Sequence, residues 1–99
     1  MQAGKLLPNS RIRRSGRVPF SHLDDELLAI DVQQGYLYSL NETGGLVWDA
    51  MAEPIMVSEI CARLASAFDV DEATCERDVV AVVSALCEAG LAEVTDAPR

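Results

Sequence analysis

The sequence predicts an α+β fold, a three-stranded antiparallel sheet followed by three helices. Three observations point to it. Between residues 17 and 40, short apolar runs are broken by turn residues at hairpin spacing. At Leu40-Asn41 a strand passes straight into a helix, and the Asn41 side chain can cap that helix by accepting an amide of its first turn. Beyond Val57, two segments show helical caps and helical spacing rather than alternation.

Residues 1–16 are polar and basic and are punctuated by Gly4 and Pro8. They lack apolar residues in a usable period, which predicts a flexible arm dispensable for the fold. The folded domain is predicted over residues 17–95. Its first strand is Arg17 to Leu23, with Val18 and Phe20 alternating and Pro19 restricting it to an edge. Asp24-Asp25 reads as a turn. Glu26 to Val32 is the second strand, with Leu28, Ile30 and Val32 on one face. Gln33-Gln34-Gly35 is a short hairpin loop, where Gly35 can take a positive φ. Tyr36 to Leu40 is the third strand, with Tyr36, Tyr38 and Leu40 on one face and Leu37 and Ser39 on the other. No further strand follows for some thirty residues, so this strand is expected to be an unpaired sheet edge.

The first helix is predicted from Glu42 to Ala52 and is ended by Pro54. Gly44 and Gly45 weaken it by about 1 kcal/mol each relative to alanine, which suggests a close backbone approach to the sheet. Trp48 reads as core. The second helix, Glu59 to Phe68, is predicted to be capped by Ser58, with Ile60, Leu64 and Phe68 at four-residue intervals. Asp71 caps the third, Glu72 to Ala89, and Gly90 terminates it. Leu91 to Val94 is a short closing strand or coil.

Composition narrows the function classes. Ninety-nine residues make one domain. The first 23 residues carry Lys5, Arg11, Arg13, Arg14 and Arg17 and no acid, a charge of +5. The rest sets Arg63, Arg77 and Arg99 against all 16 acids, a charge of −13, so the net charge is −8. A body this acidic repels phosphate backbones, so no nucleic-acid partner is expected. No apolar run approaches the roughly 20 residues that span a bilayer, and the N-terminus lacks a secretory signal. No membrane partner is expected, and the protein is expected in the cytoplasm.

Catalytic chemistry finds no support. His22 is the single imidazole, so a nucleophilic triad is not credible. Cys61, Cys75 and Cys87 are widely spaced without a Cys-x-x-Cys pair, so neither metal nor cofactor is expected. The acid pairs Asp24-Asp25 and Asp71-Glu72 lie at turns and helix starts. Gly44-Gly45 lacks the lysine and the spacing of a phosphate loop. The third helix differs. Cys75, Val79, Val82, Val83, Leu86 and Gly90 cluster on its wheel, and Val80 and Cys87 widen the apolar arc to nearly half the circumference. A surface helix needs only about 100° for its core contact. The excess predicts a second contact, and the edge at Tyr36–Leu40 is the natural neighbour. An extended peptide can add to such an edge as one more strand.

The order of short motifs resembles a known family. Gly35-Tyr36-Leu37-Tyr38-Ser39-Leu40-Asn41, Gly45-x-x-Trp48, Val57-Ser58-Glu59-Ile60, Asp78-Val79 and Leu86-x-x-x-Gly90-Leu91 follow the layout of PqqD-like proteins. These are leader-peptide recognition elements of ribosomally made, post-translationally modified peptides (RiPPs). The resemblance covers residues 17–95 and is most like the stand-alone proteins of lasso-peptide pathways. The chain lacks the aliphatic Pro-Glu segment that PqqD proper tends to carry after its second strand, which points away from pyrroloquinoline quinone assembly.

The resemblance implies a winged helix-turn-helix domain that is not an enzyme. It would bind a precursor leader as an added β-strand and present it to a protease, cyclase or radical enzyme of the same pathway. The site carried over comprises Tyr36, Leu37, Tyr38, Ser39 and Leu40 of the strand with Arg77, Asp78, Val79, Val82, Val83 and Leu86 of the third helix. Arg77 or Asp78 can pair with leader charges. Two rivals use the same fold. A winged-helix DNA-binding regulator would present a helix carrying Asp71, Glu72, Glu76 and Asp78 against Arg77, an unfavourable balance. A structural homodimer would use the same edge to self-associate.

Overall fold

The N-terminal segment supplies the centre of a sheet. In the computed structural model, which describes residues 6, 7 and 9–95, Arg11–Arg14 forms β1. The alternation Arg-Ile-Arg-Arg places one apolar side chain inward, and Ile12 is fully buried in the core. The expectation of a flexible arm through residue 16 therefore fails for these four residues. A four-residue strand with a single buried side chain is too short to announce itself by periodicity. Residues 1–5 and 8 of that arm lie outside the described residues.

The expected three-stranded sheet is present. It comprises β2 (Phe20–Leu23), β3 (Glu26–Asp31) and β4 (Tyr36–Leu40), antiparallel and in that order. The first of these strands begins at Phe20 rather than Arg17. The turn between β2 and β3 is Asp24-Asp25, with Asp24 at φ +55°, a region that Asp tolerates better than most residues. The loop between β3 and β4 closes with Gly35 at φ +75°.

The first helix, α1 (Glu42–Ala50), starts as expected: the Asn41 carboxamide oxygen accepts the Gly44 N–H at 2.9 Å. The glycine pair lets this helix press against the sheet. A Cβ at Gly44 would meet the Leu40 Cβ at 3.1 Å, tighter than ordinary contact. Next come β5 (Ile55–Met56) and α2 (Val57–Ala67). The second helix starts at Val57 rather than Glu59. Ser58 lies inside it, and the Glu59 carboxylate reaches back to accept the Met56 N–H at 3.1 Å. The third, α3 (Glu72–Glu88), is capped by Asp71, which accepts the Thr74 N–H at 3.0 Å. Gly90, at φ +80°, turns the chain into β6 (Ala92–Val94).

A second antiparallel sheet, in the order β5-β1-β6, was not foreseen. It joins the chain's beginning to its end. One core lies between the two sheets and three helices, built on Trp48, Ile12, Leu27, Met51, Ile60 and Leu91. Arg14 ties the sheets together. Its guanidinium stacks 4.5 Å from the Phe20 ring centroid and 5.7 Å from that of Trp48, and it donates to the Trp48 carbonyl at 3.3 Å.

Candidate functional site

The free edge of β4 is set by the alternation of its backbone. Ile30 donates its N–H to the Pro19 carbonyl at 2.9 Å, so its hydrogen-bonding groups point toward β2. Successive residues of an antiparallel strand point to opposite sides. Leu27, Ala29 and Asp31 therefore face β4, where the register matches them to Leu40, Tyr38 and Tyr36. Those three residues of β4 direct their N–H and C=O groups to β3. Leu37 and Ser39 direct theirs outward, and among the described residues no strand pairs with them. The edge thus offers two N–H donors and two C=O acceptors over five residues, a span of about 17 Å.

The side chains follow the same alternation. Tyr38 and Leu40 are half-buried and pack on the core, while Tyr36 is 56% exposed and Leu37 63% exposed. Leu37 and Ser39 share the outer face of the sheet with Leu28 and Ile30, and Ile30 lies directly opposite Leu37. Leu28 and Ile30 do share a face, as the alternation predicts, but it is the outer one, and Val32 falls in the turn beyond the end of β3. The core takes Leu27 and Ala29 instead. Sequence pattern alone favours the more apolar set as the inner one, and here it is not.

The third helix divides the residues assigned to it. Val79 and Val83 are fully buried and Leu86 is 4% exposed, so these three serve the domain's own core. The expectation that they line a peptide trough does not hold for this surface. The wide apolar arc is absorbed because α3 packs against α2, α1 and β6 at once. Val82 remains half-buried on the flank, and Arg77 and Asp78 are exposed. Asp78 shares a small cleft with Thr43, in the first turn of α1, the helix that follows β4 directly.

No catalytic set is assembled among the described residues. His22 lies 3.1 Å from the Asp49 carboxylate, exposed and without a nucleophile. The three cysteines are free. Burial, with Cys75 and Glu76 nearby, pushes the Cys61 thiol from 9.0 up to about 11, which suits an inert core residue. Among the described residues, no group of three or more His, Cys, Asp or Glu side chains is placed to hold a metal ion. Nor is any helix among them long and apolar enough to cross a membrane. A cleft of about 320 Å³ between the starts of α2 and α3 is lined by Val57, Cys61 and Ala73 with Glu72 and Glu76, away from the sheet edge.

Comparison with known proteins places this geometry. The model of the family described as coenzyme PQQ synthesis protein D (PqqD) matches residues 26–92, more than half of the chain. No curated protein sequence matches. Among solved structures, TbiB1 in complex with the TbiA(beta) leader peptide is 26% identical, with a TM-score of 0.74 over 88% of this chain and 99% of that one. A lasso peptide synthetase B1 complexed with the leader peptide is 24% identical, with a TM-score of 0.73 over 83% and 96%. The PqqD truncation of Methylobacterium extorquens PqqCD, a stand-alone RiPP recognition element, is 17% identical, with a TM-score of 0.74 over 89% and 94%. The last two share the fold.

Proposed function

This chain belongs to the family of coenzyme PQQ synthesis protein D (PqqD), and on that premise we propose that it binds the leader segment of a ribosomally made precursor peptide as an added β-strand. The observation that carries this reading is the unpaired edge of β4, with the backbone groups of Leu37 and Ser39 turned outward. It lies in a fold shared with TbiB1, solved with a leader peptide bound. The leader forms hydrogen bonds with Leu37 and Ser39 and lays alternate side chains over Tyr38 and Val82. Arg77 and Asp78, exposed on α3, are available for charged leader residues.

The role is non-catalytic. The protein holds the precursor and raises the effective concentration of its core segment at a modifying or processing enzyme of the same pathway, a protease, cyclase or radical enzyme. It does so in the cytoplasm and needs no cofactor. The DNA-binding alternative is disfavoured by charge, because Arg63 and Arg77 are the only Lys or Arg from residue 18 to 95. Fluorescence anisotropy with a labelled leader from a precursor peptide of the same pathway tests the reading. Saturable binding that unlabelled leader displaces supports it. No binding up to about 1 mM, a standard free energy near −4 kcal/mol, refutes it.

A further inference from the structure

The edge of β4 carries no charge of its own, but acids outnumber bases around it, Arg77 beside Asp78 on α3 being a cation among them. From Val18 to Ala62 the chain has no Lys or Arg and eight acids. Five of the eight lie around the β2–β3 turn and on α1, toward the Leu40 end of the strand. One cleft there, about 160 Å³, is lined by Asp24, Asp25, Glu26, Glu42 and Asp49, with His22 the sole basic group. A second small cleft is lined by Asp78 of α3 and by Thr43, the neighbour of Glu42 in sequence. Of these, Asp49 alone has ion-pair partners among the described residues, namely Arg14 and His22. The partial positive charge at the start of α1 offsets Glu42 in part, since that residue lies in the first turn. At the Tyr36 end the balance differs, because Asp31 shares a cleft with Arg17.

From this asymmetry we propose that the peptide this edge accepts is cationic, with its Lys or Arg residues concentrated at the end that lies beside Leu40, Glu26, Glu42 and Asp78. The proposal rests on the leader-binding reading and names the chemistry of the leader. The central residues of the bound segment are neutral or apolar, to lie along an uncharged strand between Tyr38 and Val82. Flanking cations that come within about one Debye length of these carboxylates, roughly 8 Å at physiological salt, keep their attraction despite screening. An acidic leader would be repelled at the same place. Net charge supports the same conclusion at longer range, since a −8 protein draws a cationic peptide toward it and speeds encounter.

A displayed library of random extended peptides, panned on the intact protein, tests the charge whatever the sequence of the precursor. Counter-selection on Ser39→Pro isolates peptides that need the strand edge. The expected result is an edge-dependent pool enriched in Lys and Arg to one side of a neutral centre. A synthetic member of that pool should bind the triple variant Glu26→Gln, Glu42→Gln, Asp78→Asn roughly tenfold more weakly than wild type, since exposed ion pairs contribute modestly each. Raising salt from about 0.05 to about 0.5 M should weaken the wild-type complex similarly. The double variant Glu53→Gln, Glu88→Gln, which removes the same kind of charge elsewhere, should bind as wild type does. An edge-dependent pool that is neutral or acidic, or a triple variant with unchanged affinity, overturns the charge assignment and leaves the edge reading standing. A pool with no edge-dependent members overturns the edge reading, and the charge inference with it.

Discussion

Replacing Ser39 with proline should weaken leader binding while leaving the sheet intact. The Ser39 N–H faces away from β3, because the register and the Ile30-to-Pro19 hydrogen bond turn the groups of Leu37 and Ser39 outward. Proline there deletes no backbone bond of the β3–β4 hairpin, only the long, exposed contact from the Ser39 hydroxyl to the Glu26 carboxylate at 3.5 Å, and edge strands tolerate it at such positions. The bound peptide loses one hydrogen bond, worth about 0.5–1.5 kcal/mol net, and its orphaned carbonyl costs about 1–3 kcal/mol where water cannot reach it. The expected loss is about 1–3 kcal/mol, or roughly 5- to 150-fold in Kd. Tyr38→Pro supplies the contrast. Its N–H points to Ala29, so proline removes a ladder bond and should lower the melting temperature first. Anisotropy titration with a labelled leader, beside thermal unfolding of each variant, separates the two effects. A folded Ser39→Pro protein with wild-type affinity would refute the edge assignment. A Ser39→Pro protein less stable than Tyr38→Pro would show that the backbone alternation runs the other way.

Three further outcomes follow from the same structure. Deleting residues 1–15 removes β1, strips β5 and β6 of their shared partner and uncovers the core beside Ile12; the protein should lose cooperative unfolding, and Ile12→Ala alone should cost about 2–5 kcal/mol in denaturant melts. Val82→Asp should weaken leader affinity by about tenfold or more, because a charge on this half-buried flank is costly to desolvate under a peptide; unchanged affinity in the folded variant would remove α3 from the site. The Cys61 thiol, raised to about 11 chiefly by burial, favours the protonated folded state, so its contribution to stability holds below about pH 9 and is lost as pH climbs toward 11. Cys61→Ala should flatten that alkaline decline in melting temperature, and thiol-reactive dyes should label native Cys61 far more slowly than the unfolded chain.

Much of the fold was legible because local signals agreed with the tertiary outcome. Asn41 and Asp71 cap the helices they announce, and Gly35 and Gly90 take the positive φ values their turns require. What stayed hidden depended on distant partners. β1 is four residues long with one inward side chain, and its partners lie far along the chain, the nearest of them Met51, whose carbonyl accepts the Arg14 N–H at 2.9 Å. The start of α2 was misplaced because Ser58 resembles a cap, whereas Glu59 satisfies the Met56 amide from inside the helix. Around the candidate site, the strand Tyr36–Leu40 and the alternation of its faces were readable from period two. How much of the apolar face of α3 the domain itself covers was not. A wheel shows how wide an apolar arc is but not how many elements press on it. Three elements press on α3, and they take Val79, Val83 and Leu86.

An open strand edge is a hazard as well as a tool, since it can template pairing with any exposed strand, including another copy's. The edge of β4 is five residues long and flanked by carboxylates, and the whole chain carries −8. Short length limits the backbone bonds a wrong partner can gain. Like charge between copies opposes their approach, most strongly at low salt. The outer face of the same sheet, with Leu37 opposite Ile30, would otherwise favour stacking or self-association. The acids around Leu40 therefore serve two ends at once. They admit a strand of opposite charge and discourage one like themselves, so that selectivity for a peptide and resistance to self-pairing arise from one distribution of charge.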